Sequence, residues 1–136
     1  MAERFEIDIT RFADKAMKRA RTVVHKICLD LDRNLVLGTP VDTGRARGGW
    51  NVGINSPNLQ ETLNDPGGQI TMRDNKKIIE MAQLGDRIFL SNNVAYIGYL
   101  DEGSSQQAPL GIVDVQLRRF PAITRKAVID SKRQHP

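Results

Sequence analysis

The most regular pattern in the chain is a stripe of apolar residues within its first 38 positions. Its members are spaced three or four residues apart: Phe12, Ala16, Ala20, Val23, Ile27, Leu31 and Leu35. That spacing matches the period of an α-helix and predicts one over residues 10–37. We expect Thr10 or Asp8 to cap its start, and Gly38 with Pro40 to end it. Because such a helix would be about 40 Å long, part of its apolar stripe is available to something outside its own chain.

Residues 41–54 change to a two-residue alternation after a turn at Asp42, Thr43 and Gly44. We interpret this stretch as a half-buried strand, since alternate residues of a strand share one face. The face predicted to be buried carries Ala46, Gly48, Trp50, Val52 and Ile54. Its glycines indicate a bulge or a close backbone approach. Trp50, the largest apolar side chain, is expected to anchor the core where helix and sheet meet.

The rest of the chain predicts shorter elements. An extended loop with mobile parts over 55–68 is followed by a short strand over 69–72 and a helix over 75–84, which Asp74 caps and Gly85 closes. Next come a strand over 86–91, a short helix over 94–101 with a strand as the alternative, and a loop over 103–111. The chain ends in helical segments 112–120 and 122–131, separated at Pro121, and a frayed end from about residue 132. Together they predict an α+β fold. A long N-terminal helix would pack on a small, mostly antiparallel sheet, with a short middle helix and a C-terminal helix.

Length and composition fit one soluble domain. The chain has 136 residues, 26% of them charged, and a net charge of +4. The single cysteine, Cys28, excludes an internal disulfide and lies in no metal-binding pattern. No apolar run is long enough to cross a membrane, and the charged N-terminus does not resemble a secretory signal. We therefore expect synthesis in the cytoplasm, no membrane partner and no cofactor.

The tripeptide Asp42-Thr43-Gly44 is also the motif of aspartic proteases, in which two such carboxylates share a proton. One copy per chain would require a dimeric, retroviral-type enzyme. The flanking residues argue against this, because Pro40 precedes the motif and Arg45 follows it. The competing interpretation is a turn in which the Asp42 and Thr43 side chains make local hydrogen bonds and Gly44 supplies a positive φ.

Other candidates for chemistry are weaker still. His25 and Cys28 are three residues apart on the predicted helix, but no further ligands are spaced to complete a metal or catalytic site. Asp101 and Glu102 lack the ordered oxygen ligands of a calcium loop, so a turn or an intersubunit ion pair is the expectation. We predict no catalytic, cofactor-binding or metal-binding residue, and hence no enzyme.

Basic residues recur near the C-terminus. They are Arg118, Arg119, Arg125, Lys126, Lys132 and Arg133. They would suit phosphate groups, which makes a small nucleic-acid-binding module the main alternative function. However, no aromatic residues alternate with them as stacking platforms. Solvated helix faces are the favoured explanation, and charges that match an acidic neighbouring subunit are an intermediate one.

Two segments resemble a known family. Residues 39–50, TPVDTGRARGGW, resemble the TPVDTG-x-L-x-x-x-W signature of the tail-completion or neck proteins of long-tailed phages, often called tail-component or minor tail proteins. Residues 91–104, SNNVAYIGYLDEGS, resemble the N-x-x-x-YA-x-x-x-E-x-G-[ST] stretch of the same family, and the loop 108–111 before a final helix fits as well. This sequence departs from the family at Ala46, Ala95, Ile97 and Asp101, where Leu, Pro, Ala and Glu are usual. The motif positions it keeps or nearly keeps are Pro40, Asp42, Thr43, Gly44, Trp50, Tyr96, Asp101 and Gly103.

The resemblance implies a virion structural protein rather than a catalyst. It implies a ring, hexameric in the family's manner, that completes the tail and joins tail tube or terminator proteins to the head connector. DNA would pass through its channel without sequence-specific binding, and the protein would be made in the host bacterial cytoplasm. From loop composition and charge we add candidate partner contacts at Asn55, Asn58, Asn64, Asp65, Arg118 and Arg119.

Overall fold

The computed structural model describes residues 2–41, 44–60, 64–95, 97–103, 107–108 and 110–136, with the side chains of 2–10, 12 and 99 left aside. Its elements are α1 (Ala2–Gly38), α2 (Arg45–Gly48), β1 (Trp50–Ile54), α3 (Gln69–Met81), β2 (Ile88–Asn92), α4 (Ile97–Asp101) and α5 (Val113–Gln134). The two strands pair antiparallel, with Trp50 opposite Asn92 and Ile54 opposite Ile88. The predicted α+β class is confirmed.

The long first helix is confirmed, but it begins earlier than predicted. Because α1 starts at Ala2, Asp8 and Thr10 lie within it and do not cap it. Its end at Gly38 is as predicted. There the Thr39 hydroxyl donates to the Leu35 carbonyl at 2.7 Å, so one of the last carbonyls of the helix gains a partner.

The prediction of one strand from the Gly44 turn onward is wrong in its first half. Arg45–Gly48 forms a helical turn instead, in which the Gly48 amide donates to the Gly44 carbonyl at 2.9 Å. The strand itself is buried on both faces rather than half-buried, from Trp50 to Gly53. The loop after β1 explains the second face, because the backbone of residues 56–58 lies against Gly53 so closely that a Cβ there would overlap it. The predicted close backbone approach is therefore confirmed.

The middle helix also starts earlier than predicted. Residues 69–72, predicted as a strand, are the first turn of α3, so Asp74 lies inside the helix and is not its cap. Asp65 has that role: its carboxylate accepts from the Thr71 amide and the Thr71 hydroxyl, both at 2.8 Å. The helix ends at Met81, before the predicted Leu84.

The C-terminal half is more helical than predicted. Residues 97–101 are helical, so the strand alternative there is wrong. The predicted break at Pro121 is wrong as well, because α5 continues through this exposed proline. Instead of fraying from residue 132, α5 runs to Gln134, and His135 contacts α1. Its ring Nε2 lies 2.8 Å from the Thr22 hydroxyl, and its carbonyl accepts from Arg19 at 2.5 Å.

The core lies where α1, β1 and the start of α5 meet. Leu35, Val36, Trp50 and Ile112 form its centre. Since His135 lies beside Arg19 and the start of α5 lies near Leu37, α5 runs antiparallel to the second half of α1. Residues 2–18 of α1, which we call the N-terminal arm, thus extend about 25 Å beyond the end of α5.

Candidate functional site

The turn between α1 and β1 is held by Trp50. This side chain is only 5% exposed, and its indole N–H donates to the Thr39 hydroxyl at 2.7 Å. That hydroxyl in turn donates to the Leu35 carbonyl. The predicted role of Trp50 as the anchor between helix and sheet is confirmed, and its one polar atom is satisfied as a buried indole requires.

Arg47 holds the same turn from outside, although no pattern in the sequence singled it out. Its guanidinium donates to three carbonyls: Leu37 at 3.0 Å, Thr39 at 3.2 Å and Pro66 at 2.8 Å. Two of these carbonyls lie at the end of α1, where a cation is favourable for the helix dipole. The third belongs to the loop before α3, so one side chain fixes α1, the turn and the loop together.

Gly44 confirms the predicted positive φ, at 87°. A Cβ at this position would overlap Pro66, so glycine is required by space as well as by conformation. The Gly44 carbonyl accepts from the Asp65 amide at 3.0 Å, which ties the turn to the loop before α3. Pro40 is buried beside this turn. Asp42 and Thr43 lie outside the described residues, and so do the hydrogen bonds predicted for them.

The second motif segment packs directly against the first. The Asn92 amide donates to the Ala46 carbonyl at 2.7 Å, and its oxygen accepts from the Val94 amide at 3.0 Å. Gly49 lies so close to Val94 that an added Cβ would be 2.5 Å from a Val94 methyl group. Two segments about 45 residues apart therefore form one joint. Tyr96, in the same segment, lies outside the described residues.

Asp101 connects the second segment to α5. Its carboxylate Oδ1 accepts from the amides of Ile112 and Val113, at 3.1 and 2.9 Å. These amides open the helix, so Asp101 caps α5 from a distance of eleven residues along the chain. Gly103, at φ 87°, donates to the Leu100 carbonyl and ends α4. The expectation of a turn at Asp101 and Glu102 is thereby confirmed.

Removing this cap should lower stability measurably. Asp101→Ala leaves two amides at the start of α5 without their acceptor, and we expect the free energy of unfolding to fall by about 1 to 2 kcal/mol. Asp101→Asn keeps an acceptor oxygen and should recover most of that loss. Glu102→Ala, at the exposed neighbouring residue, is the matched control and should change little. Urea denaturation followed by circular dichroism measures all three, and equal losses for Asp101→Ala and Glu102→Ala would contradict the capping role.

Of the candidate partner contacts, some side chains make hydrogen bonds within the fold and others are exposed on its surface. Asp65 is buried and caps α3, so its predicted role as a partner contact is wrong. Asn55 is exposed at φ 66°, but its amide group bonds to Asp86 and to the Arg87 amide. The Asn58 carbonyl accepts from the Ser91 hydroxyl. Asn64, Arg118 and Arg119 are exposed, and among the described residues no ion pair involves either arginine.

A buried carboxyl group at the centre of the fold was not anticipated from the sequence. Asp32 is 3% exposed and accepts from the Asn75 amide at 2.8 Å, while the same amide donates to the Trp50 carbonyl at 3.1 Å. Burial raises the pKa of Asp32 to about 7, and the Asn75 hydrogen bond only partly opposes that rise. Burial and the nearby Asp32 charge raise the pKa of Cys28 to about 11, so this thiol is not activated as a nucleophile.

Little else on the described surface resembles a catalytic or metal centre. Among the described residues, no three His, Cys, Asp or Glu side chains are grouped closely enough to hold a metal ion. His25 is hydrogen bonded to the Ala82 carbonyl at 2.7 Å, as a half-buried helical side chain. No helix within the described ranges is long and apolar enough to cross a membrane.

Exposed apolar side chains are spread over the described surface, and two groups of them lie near opposite ends of α1. At one end, Met17 of the N-terminal arm and Leu84 line a pocket at the base of the arm. At the other, Leu37 and Leu110 line a groove between the end of α1 and the start of α5. Surfaces of this kind are typical of sites that contact another protein.

Comparison with family models, with curated proteins and with solved structures found no match to this chain.

Proposed function

We propose that this protein is a structural subunit of a phage tail or neck. It assembles with copies of itself into a ring, completes the tail and joins the tail tube or terminator to the head connector. In this proposal it acts in the virion, after synthesis in the host bacterial cytoplasm, and has no catalytic role.

The contact between the two motif segments carries this proposal. Asn92 bonds to Ala46, and Gly49 packs on Val94, so the segments that resemble the tail-completion family form one joint. The motif residues described there act on the backbone: Trp50 and Gly44 fix a turn, and Asp101 caps a helix. Such roles fit a subunit that must present the same rigid shape in every copy of a ring.

The arm and the exposed apolar side chains support self-assembly. Residues 11 and 13–18 are exposed, although the apolar stripe of α1 continues into them through Ala16, and Met17 beside it is 59% exposed. An apolar stripe on a helix normally marks a face that is covered. Gln83 and Leu84 border Met17 but leave it exposed, which favours a neighbouring subunit as the cover of this face.

Sizing of the purified protein tests the proposal. Size-exclusion chromatography with light scattering, followed by negative-stain imaging, should show ring-shaped particles of several subunits. A protein that stays monomeric or dimeric at every concentration would contradict it. If such a monomer bound DNA with strong salt dependence, the alternative of a nucleic-acid-binding module would replace the proposal.

The aspartic protease alternative has its own test. Asp42→Asn should leave the size of the particles unchanged and alter only stability. Peptide cleavage by the native protein that disappears in Asp42→Asn would establish the protease instead.

A further inference from the structure

We propose that the N-terminal arm of one copy docks into the groove at the opposite end of the next copy, so that the subunits associate head to tail. The inference rests on the proposed function, because it specifies how the copies of the ring meet. The groove is lined by Leu37 of α1, Ala108 and Leu110 of the preceding loop, and Gln116 and Arg119 of α5.

Distance shows that the arm cannot fill the groove of its own chain. The arm and the groove lie at opposite ends of α1, which has 37 residues and is therefore about 55 Å long. A helical arm that extends away from the groove can reach only the groove of another copy. Contacts between two different surfaces of identical subunits generate rings or open filaments rather than two-fold dimers.

Charge supports the same pairing. The tip of the arm, residues 2–10, contains three acidic residues, Glu3, Glu6 and Asp8, against a single arginine. On α5, Arg119 lines the groove and Arg118 is the next residue along the helix; both are exposed and neither has an ion pair to any described residue. Opposite charges on two such surfaces favour their encounter and fix their register.

The apolar pattern fits as well. In the sequence of the arm, Phe5, Ile9 and Phe12 follow one another at steps of four and three, which is the spacing of a helical stripe. The groove has a volume of about 330 Å³, and Leu110 in its wall is 72% exposed. An amphipathic helix laid into an apolar groove is a common mode of recognition between proteins.

Charge reversal tests the pairing. One variant reverses the arm, with Glu6→Lys and Asp8→Lys, and a second reverses the groove, with Arg118→Glu and Arg119→Glu. Each alone places like charges together, and we expect self-association to weaken by at least about tenfold. The matched control, Lys76→Glu with Lys77→Glu on exposed α3 positions, has the same charge change as the groove variant and should assemble like the native protein.

Mixing the two variants distinguishes a head-to-tail ring from other contacts. In an equimolar mixture each reversed arm meets a reversed groove, and each native arm meets a native groove. Rings of alternating composition should therefore return, and native mass spectrometry would show equal numbers of both variants. Circular dichroism first confirms that each variant is folded.

The outcomes separate this inference from the proposed function. Rings that persist in the groove variant, or a mixture that does not restore them, would overturn arm docking and leave ring assembly intact. A native protein that forms no ring would overturn the proposed function itself.

Discussion

Replacing Trp50 by alanine is expected to lower the free energy of unfolding by about 3 to 5 kcal/mol. The side chain is buried against Leu35, Val36 and Ile112, so its removal leaves a cavity where α1, β1 and α5 meet. It also leaves the Thr39 hydroxyl without the indole donor. Trp50→Phe keeps part of the apolar contact and loses that hydrogen bond, so its effect should be intermediate.

Urea denaturation followed by far-ultraviolet circular dichroism measures this effect, since the chain has a single tryptophan and its fluorescence is lost in both variants. Leu117→Ala is the matched control, because Leu117 is 62% exposed on α5 and its truncation should cost less than about 0.5 kcal/mol. A Trp50→Ala variant as stable as Leu117→Ala would show that the packing of α1, β1 and α5 does not depend on Trp50.

The sequence predicts the elements that have a strong local pattern. The period of apolar residues in α1, the stop at Gly38 and the anchoring role of Trp50 follow from spacing and residue type alone. The local pattern misled where tertiary contacts decide. Residues 45–48 alternate like a strand, yet they form a helical turn, because Gly44 turns the backbone and Arg47 is fastened to carbonyls of α1 and of the loop before α3.

The helix caps also depend on tertiary contacts that the local sequence pattern does not show. Asp74 and Asp8 precede apolar periods and look like caps, but Asp65 and Asp101 perform that function for α3 and α5. Both act across turns of six or more residues, which no local rule describes. The burial of Asp32 could not be predicted from the sequence for a related reason. Its partner Asn75 is 43 residues away, so only the fold brings the two side chains together.

That buried carboxyl group should make stability depend on pH. The pKa of Asp32 rises from an ordinary value of 3.8 to about 7 on folding, because burial disfavours the ionised form. The folded state therefore holds this proton more tightly than the unfolded state does. The resulting stability is fully present below about pH 4, is lost as the pH rises towards 7, and changes little above about 8.

Asp32→Asn removes the titrating group and keeps an acceptor oxygen for Asn75. We expect it to raise the free energy of unfolding by about 2 to 4 kcal/mol at pH 8, and by less than about 1 kcal/mol near pH 4. Urea denaturation of both proteins across this pH range gives the difference at each pH. Asp86→Asn is the control with the opposite sign, because hydrogen bonds from the Gln83 amide and Asn55 lower the pKa of Asp86. Asp86 contributes stability above its ordinary pKa, and that contribution is lost in acid, so its variant should be the less stable protein at neutral pH. If the difference between native protein and Asp32→Asn were the same at pH 4 and pH 8, Asp32 would not be the group that titrates on folding.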